Sequence, residues 1–72
     1  MATVAVIGER ALIRGWTQAG AAVAVAENAD EVRDAWRSLG DDVAVVVLTP
    51  AAARILADER GYGQPLTVVL PP

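Results

Sequence analysis

The residues of this sequence that are able to do chemistry are few, and three of them stand directly after apolar runs. Glu9 and Arg10 follow the run at residues 3–7, and Thr49 follows the run at residues 43–48. In open α/β sheets, ligands gather at the carboxyl ends of the strands, near the point where the strand order reverses. Arg10 and the start of the next helix would then hold an anion, with Thr49 supplying a hydroxyl group.

The same residues also have a structural interpretation. In it, Gly8 makes a tight turn, Thr49 caps a helix, and Glu9 and Arg10 are solvated loop charges. No further chemical group of the sequence converges on this place, so the structural interpretation is favoured. The anion site stays open as the functional alternative.

Several residue types that catalysis and cofactor binding use are missing. The 72 residues include no Cys, His or Lys, which removes the usual general base, the thiol nucleophile, disulfides and the common zinc ligand sets. A dinucleotide loop needs G-x-G-x-x-G and a P-loop needs a lysine, whereas Gly8 stands alone. Asp41 and Asp42 lack further calcium ligands at EF-hand spacing. We therefore expect no catalytic residue, no cofactor and no metal site.

Charge and hydropathy exclude two classes of partner. The net charge is −3 and the pI is about 4.6, which argues against a nucleic acid or an anionic membrane surface. No apolar stretch approaches the ~20 residues of a membrane span, and the start of the chain does not read as a signal peptide. We expect a cytoplasmic protein whose residues 1–72 form one domain.

The elements that must position these residues follow an alternating pattern. Strands are predicted at residues 3–7, 22–26, 43–48 and 66–70, with helices between them, which gives the order βαβαβαβ. Because the runs are continuously apolar, the strands are expected to be parallel and covered on both faces. We predict an α/β fold with a four-stranded parallel sheet in the flavodoxin-like order 2-1-3-4. The first and third strands are then central, and the second and fourth are edges.

The second helix has the clearest signals. An apolar stripe lies on one of its faces, and Asn28 and Glu31 form a variant of the capping box at its start. Gly40 is expected to end it in the left-handed conformation. The stripe is Val32, Ala35, Trp36 and Leu39. Its charged face is expected to be solvated, with pairs three residues apart, Asp30 with Arg33 and Asp34 with Arg37.

The two other helices have weaker patterns. The first is expected to run to Gly20, with close packing on the sheet explaining Gly15. Its inward stripe is Leu12, Ile13, Trp16 and Ala19. The third helix starts at Thr49-Pro50 and is expected to continue until the glycines at 61–63. Its inward residues are Ala52, Ile55 and Leu56. Trp16 and Trp36 lie on apolar stripes, so core packing is favoured over a role as partner anchors.

The order of the motifs resembles the F subunit of V-type and archaeal-type rotary ATPases. That family opens with a strand that runs into Ile-Gly-Asp, has a Gly-Phe-x-x-Ala-Gly helix end, and has an Asp-Asp-hydrophobic strand that leads through Thr into a helix. The similarity spans nearly the whole chain, with Glu9 and Trp16 as mild departures. The matching segments are Val4 to Arg10, Gly15 to Gly20, Glu27 to Glu31 and Asp41 to Thr49.

This resemblance implies a non-catalytic subunit of the central stalk. Such a subunit binds the coiled-coil shaft subunit, of D type, and couples ATP turnover to proton or ion transport, with no nucleotide site of its own. It would be cytoplasmic and peripheral to the membrane. Family members continue with a C-terminal helix, whereas this sequence stops at Pro72, so we expect only the globular head. The alternative is a stand-alone flavodoxin-like regulatory or small-ligand-binding domain.

The edges of the predicted sheet suggest self-association. The second strand contains neither proline nor charge, whereas the fourth is flanked by Pro65, Pro71 and Pro72. An unprotected edge offers unpaired backbone groups to another chain. We therefore predict a weak homodimer through the second strand, with Val23 and Val25 at the joining edge, or through the adjoining helical face. The same surface would serve the natural partner.

Overall fold

Alternating strands and helices make up the chain, as the apolar runs predict. The structure, a computed structural model, describes residues 3–59 and 65–71, without the side chains of residues 17–19. The strands are β1 (Thr3–Gly8), β2 (Ala22–Val25), β3 (Val43–Leu48) and β4 (Leu66–Val69). The α-helices are α1 (Arg10–Ile13), α2 (Ala29–Arg37) and α3 (Pro50–Ile55), and a 3₁₀ segment, Arg14–Ala19, follows α1.

The sheet is parallel and has the order β2-β1-β3-β4, which confirms the predicted fold class. The central position of β1 leaves its residues from Ala5 to Gly8 buried. β2 and β4 are each one residue shorter than predicted. The ladder nevertheless continues, because Ala26 N–H donates to the Gly8 carbonyl and Leu70 N–H to the Leu48 carbonyl, both at 2.8 Å.

Helices on both faces divide the core into two clusters. One face packs against α2 and α3, and its buried residues include Ile7, Leu48 and Trp36. The other face packs against α1, where Val6, Ile13 and Val47 are buried. Successive residues of a strand point to opposite faces, so the continuous apolar runs supply both clusters.

Helix α2 begins as predicted and ends differently. Asn28 Oδ1 accepts the Glu31 N–H at 2.9 Å, and Glu31 Oε1 reaches back to accept the Glu27 N–H at 2.8 Å. Gly40 does not take the predicted left-handed conformation, since Gly20 is the residue with positive φ in the described part of the chain. The helix stops earlier, after Arg37, and the Ser38 hydroxyl donates to the Asp34 carbonyl at 2.7 Å.

The prediction for the first helix is wrong in two respects. Only four residues are α-helical before the chain tightens into the 3₁₀ segment, in which residues three apart are stacked in one narrow row. Ile13 is buried in that row and Trp16 is half-buried, but Leu12 lies outside it and is 54% exposed. A Cβ on Gly15 would meet nothing within 4 Å, so close packing does not explain this glycine. The predicted inward side chain of Ala19 lies outside the described ones.

Helix α3 is short, and an acidic residue after it holds the arginines of α2. The helix starts at Pro50 as predicted and ends at Ile55, before the glycines at 61–63, which lie outside the described residues. Glu59 Oε2 lies 3.3 Å from both Arg33 Nε and Arg37 Nη2. The predicted pairs within α2 are therefore wrong in the described chain, because the packing of α3 beside α2 brings a closer carboxylate to both arginines.

Candidate functional site

Two of the three predicted site residues meet at the carboxyl ends of β1 and β3. The Thr49 hydroxyl donates to Glu9 Oε1 at 2.5 Å and accepts the Ala52 N–H at 3.4 Å. Thr49 is fully buried, and Glu9 is half-buried. A Cβ built on Gly8 would overlap the Thr49 methyl group and lie 2.8 Å from its Oγ1. Gly8 is thus required by this close approach, not by the tight turn that the sequence suggested.

Several backbone donors at this edge are bonded within the chain. Arg10 N–H, which an anion would need, donates to Glu27 Oε1 at 2.9 Å. Leu12 N–H donates to the Glu9 carbonyl at 3.0 Å, and Ala53 N–H donates to the Thr49 carbonyl at 2.9 Å. Arg10 takes part in these hydrogen bonds through its backbone N–H, and the residue as a whole is exposed. The chain's own Glu27 carboxylate therefore takes the place that an anion at the start of α1 would occupy.

Glu27 is the residue of this site that sequence reasoning missed. It follows β2, and parallel neighbours bring their carboxyl ends to the same edge of a sheet. The signal was present, because a carboxylate after β2 lies beside the start of the helix that follows β1. Its own N–H is held by Glu31, so the capping of α2 also fixes the segment that carries Glu27.

The space at this edge is small. A cleft of about 170 Å³ lies between Glu9, Glu27 and the start of α3, whereas ligand pockets are typically about 300 to 1,000 Å³. The described residues contain no group of His, Cys, Asp or Glu side chains arranged to hold a metal ion. What this edge does chemically is to tie β1, β2 and β3 together through carboxylate hydrogen bonds.

The β2 edge holds the two residues predicted for self-association. Val25 is 38% exposed, and Val23 is half-buried against the cluster of Val6 and Ile13. β2 is an outer strand of the sheet. A groove of about 510 Å³ runs beside it, lined mainly by small apolar residues from Ala21 to Ala24 and by Ala35 and Leu39. This groove lies at the amino ends of β1 and β3, opposite to the edge where ligands gather in such sheets.

A larger apolar surface lies on the face of the sheet that α1 only partly covers. We call it the open face and define it by Val4, Val45, Leu66 and Val68. Val4, Val45 and Leu66 are partners across three adjacent strands, and Val68 is paired with Val47. Leu66 is 67% exposed, Val68 47% and Val4 40%. The sequence pattern did not indicate this surface, because it assigns both faces of every strand to the core.

The sheet order and the helices on both faces define a doubly wound α/β protein of the flavodoxin-like type. A similar solved structure is the crystal structure of the F subunit of the V-type ATP synthase of Archaeoglobus fulgidus. It matches with a TM-score of 0.68 and 22% sequence identity, over 97% of this chain and 98% of that chain. This likeness confirms the fold that the resemblance in sequence implies. No protein-family model and no curated protein matches the sequence.

Among the helices of the described residues, none is long and apolar enough to cross a membrane.

Proposed function

We propose that this chain is a stalk subunit of a V-type rotary ATPase, equivalent to its F subunit, and that it acts through protein contacts. The observation that carries the proposal is the likeness to the archaeal protein over 97% of this chain and 98% of that one. A likeness over a part of either chain would fit many α/β proteins equally well, since unrelated functions share such folds.

The motif residues support the proposal because they form the framework of the fold. Gly8 and Glu9 stand where the family has Gly-Asp, and they meet the Thr that follows the Asp-Asp strand. Glu9 has the same acceptor group as the family's Asp on a longer side chain. The resemblance is thus carried by residues that hold β1 to β3, which is the kind of residue that a shared fold requires.

The role that we propose is non-catalytic. The sequence contains no Lys, His or Cys, and the cleft at the carboxyl ends of the strands is about 170 Å³. Arg10 N–H, the donor that the predicted anion would need, is bonded to Glu27. The chain would couple ATP turnover to proton or ion transport by binding the shaft subunit, of D type, as a cytoplasmic component peripheral to the membrane.

The alternative function, a stand-alone regulatory or small-ligand-binding domain, has less support. The groove beside β2, of about 510 Å³, is large enough for a small ligand. That groove lies at the wrong end of the strands for this fold type, and its lining offers few polar groups. A small molecule that stays bound to the chain through native purification would favour this alternative.

Affinity purification of the tagged chain from the organism that makes it tests the proposal. Mass spectrometry of the eluate is expected to identify the A, B and D subunits of a rotary ATPase. A tagged flavodoxin-like protein from the same organism is the control for non-specific capture. Recovery of an unrelated complex, or of the chain alone under gentle conditions, would contradict the stalk role.

A further inference from the structure

β2 forms the outer edge of the described sheet on the side away from β4. An outer strand has a row of backbone N–H and C=O groups without partners, and proteins protect such edges with proline, charge or a covering segment. β4 is flanked by prolines, whereas residues 21–26 contain neither proline nor charge. Ala22 and Val25, the first and last residues of β2, are exposed. The edge of β2 is therefore open to a further strand.

The described chain provides no covering segment for this edge. The segments that lead into and out of β2 belong to residues 3–59, of which the backbone is described throughout. After residue 59 the description resumes at residue 65, where the chain enters β4 at the opposite edge. At the other end of the description, Thr3 N–H donates to the Asp42 carbonyl at 2.9 Å, on the β3 side of β1. Among the described residues, those of β1 alone pair with β2.

The backbone groups that point outward from this edge belong to two valines. Ala26 N–H donates to the Gly8 carbonyl at 2.8 Å, so the backbone groups of Ala26 point toward β1. Successive residues of a strand direct these groups to alternate sides, which places those of the two alanines of β2 on the β1 side as well. The N–H and C=O groups of Val23 and Val25 therefore point away from the sheet. Two donors and two acceptors are available there.

This set of groups is complementary to itself. In an antiparallel pair of strands, two residues opposite each other exchange both of their N–H···O=C bonds. A second copy related by a two-fold axis through Ala24 places its Val25 opposite Val23 and its Val23 opposite Val25. All the outward donors and acceptors of both copies are then paired. Ala24 is also the midpoint of the ladder, which runs from Ala22 to Ala26.

Charge favours this antiparallel arrangement over a parallel one. Glu27 follows β2, and its N–H is already bonded to Glu31, so strand pairing ends before it. With the axis at Ala24, Glu27 comes opposite Ala21 of the second copy. A parallel, in-register pairing would instead place the two Glu27 carboxylates side by side, and like charges directly opposite each other are destabilising.

We propose that β2 pairs antiparallel with β2 of a second copy about a two-fold axis at Ala24, which joins the two sheets into one of eight strands. A second copy is the occupant because it satisfies every outward group, separates the Glu27 charges and sets Val23 against Val25, a favourable β-branched pair. The dimer is weak, since each copy carries a net charge of −3 and so short a strand buries less than the about 800 Å² per partner of a stable interface. The inference goes beyond the stalk role and does not rest on it.

Single cysteines test the register, because the chain has no cysteine of its own. In the proposed dimer the two copies of Ala24 face each other with Cα atoms about 4.5 Å apart, within the range of about 4.4 to 6.8 Å that a disulfide allows. Ala22→Cys is the matched control, since the two cysteines would lie four residues apart, about 13 Å, along the strands. Ala22 is exposed and Ala24 half-buried, so random collision would favour the control.

The full chain with Ala24→Cys, held in a glutathione redox buffer, is expected to form a disulfide-linked dimer at least about tenfold faster than Ala22→Cys. Analytical ultracentrifugation of the wild type should show a reversible dimer with Kd between about 0.1 and 1 mM. Val25→Lys should abolish it. Val69→Lys, at a residue 46% exposed on β4, is the control with the same change of charge and should leave the dimer intact. Both variants lower the net negative charge, so the loss in Val25→Lys cannot come from added repulsion between like net charges.

Three outcomes would overturn the proposal. They are a wild type that is monomeric at about 1 mM; disulfide formation by Ala22→Cys that equals or exceeds that of Ala24→Cys; or a dimer that Val25→Lys leaves intact while circular dichroism shows the variant folded. These results are separable from the stalk role. A monomeric chain that co-purifies with the ATPase would refute the strand pairing alone, whereas a dimer that does not co-purify would refute the stalk role alone.

Discussion

Replacing Trp36 by Ala tests the packing of α2 on the sheet. Trp36 is 7% exposed and lies in the cluster of Ile7, Val46 and Leu48. A buried aromatic side chain removes about 150 to 250 Å² from water, which at about 25 cal/mol per Å² is worth about 4 to 6 kcal/mol. Because the denatured chain is partly compact, this is an upper limit. We expect Trp36→Ala to cost about 3 to 5 kcal/mol.

The total stability sets how this loss will be seen. At about 0.05 to 0.15 kcal/mol per residue, the free energy of unfolding of a chain of 72 residues is about 4 to 11 kcal/mol. The loss is therefore about a third of the total at the upper end of this range and all of it at the lower end, so urea unfolding followed by far-UV circular dichroism should show a midpoint lowered in that proportion, down to a chain that is already unfolded. The free energy of unfolding of the wild type is measured in the same way.

Trp16 supplies the internal control. It is half-buried against the smaller cluster under α1, so Trp16→Ala is expected to cost about half as much. If Trp36→Ala leaves too little folded protein, Trp36→Phe and Trp16→Phe preserve the comparison at about 1 kcal/mol each. A loss below about 1 kcal/mol for Trp36→Ala, or a larger loss for the Trp16 variant, would refute the assignment of Trp36 to the core.

Four further predictions concern local contacts and binding. Gly8→Ala should lower the free energy of unfolding by about 1 to 3 kcal/mol through overlap with Thr49, and adding Thr49→Ser should recover part of the loss by removing the methyl group. Gly15→Ala, whose Cβ meets nothing within 4 Å, should be neutral or stabilising. A larger loss for Gly15→Ala than for Gly8→Ala would contradict the packing. Asn28→Ala should cost about 1 kcal/mol by removing the cap of α2, and an unchanged urea midpoint would contradict that. Calorimetry should detect no tight binding of ATP or GTP, so micromolar affinity would count against a non-catalytic role. The weak homodimer through β2 stays a prediction: analytical ultracentrifugation should find it in the wild type and lose it in Val25→Lys, and a monomer at high concentration would contradict it.

The sheet could be predicted from sequence because its signals are local and agree with one another. Apolar runs bounded by Gly, Asn and Pro define the strands, and βαβ connections make them parallel. The order 2-1-3-4 was predicted by analogy with flavodoxin-like sheets. The start of α2 was equally accessible, since Asn28 and Glu31 are three residues apart and their hydrogen bonds depend on that spacing alone. The same holds for Thr49 as the cap of α3.

The features that were missed depend on tertiary distances. Glu59 is remote in sequence from Arg33, and only the packing of α3 beside α2 brings it closer than a carboxylate on the same helix. The end of α2 before Gly40 and the exposure of Leu12 depend in the same way on where the chain meets the sheet. For these residues helical spacing indicated an orientation that tertiary packing overrides.

The candidate site was only half accessible from sequence. Glu9 and Thr49 follow neighbouring strands, so their meeting could be expected. The position of Glu27 after β2 also places it at this edge, but its hydrogen bond with Arg10 N–H depends on the path of the chain between β2 and α2. The open face was also missed. A continuous apolar run indicates that both faces of a strand are suited to burial, but it does not indicate which face the helices of this chain cover.

The most direct test of the stalk role is the reciprocal purification. A V-type ATPase from the same organism would be isolated through a tag on its A subunit, and peptides of this chain would be quantified against those of the D subunit. The account predicts that the chain is present in equal amount to the D subunit and stays with it when the catalytic subunits are stripped away. An intact, active ATPase that contains none of this sequence would contradict it.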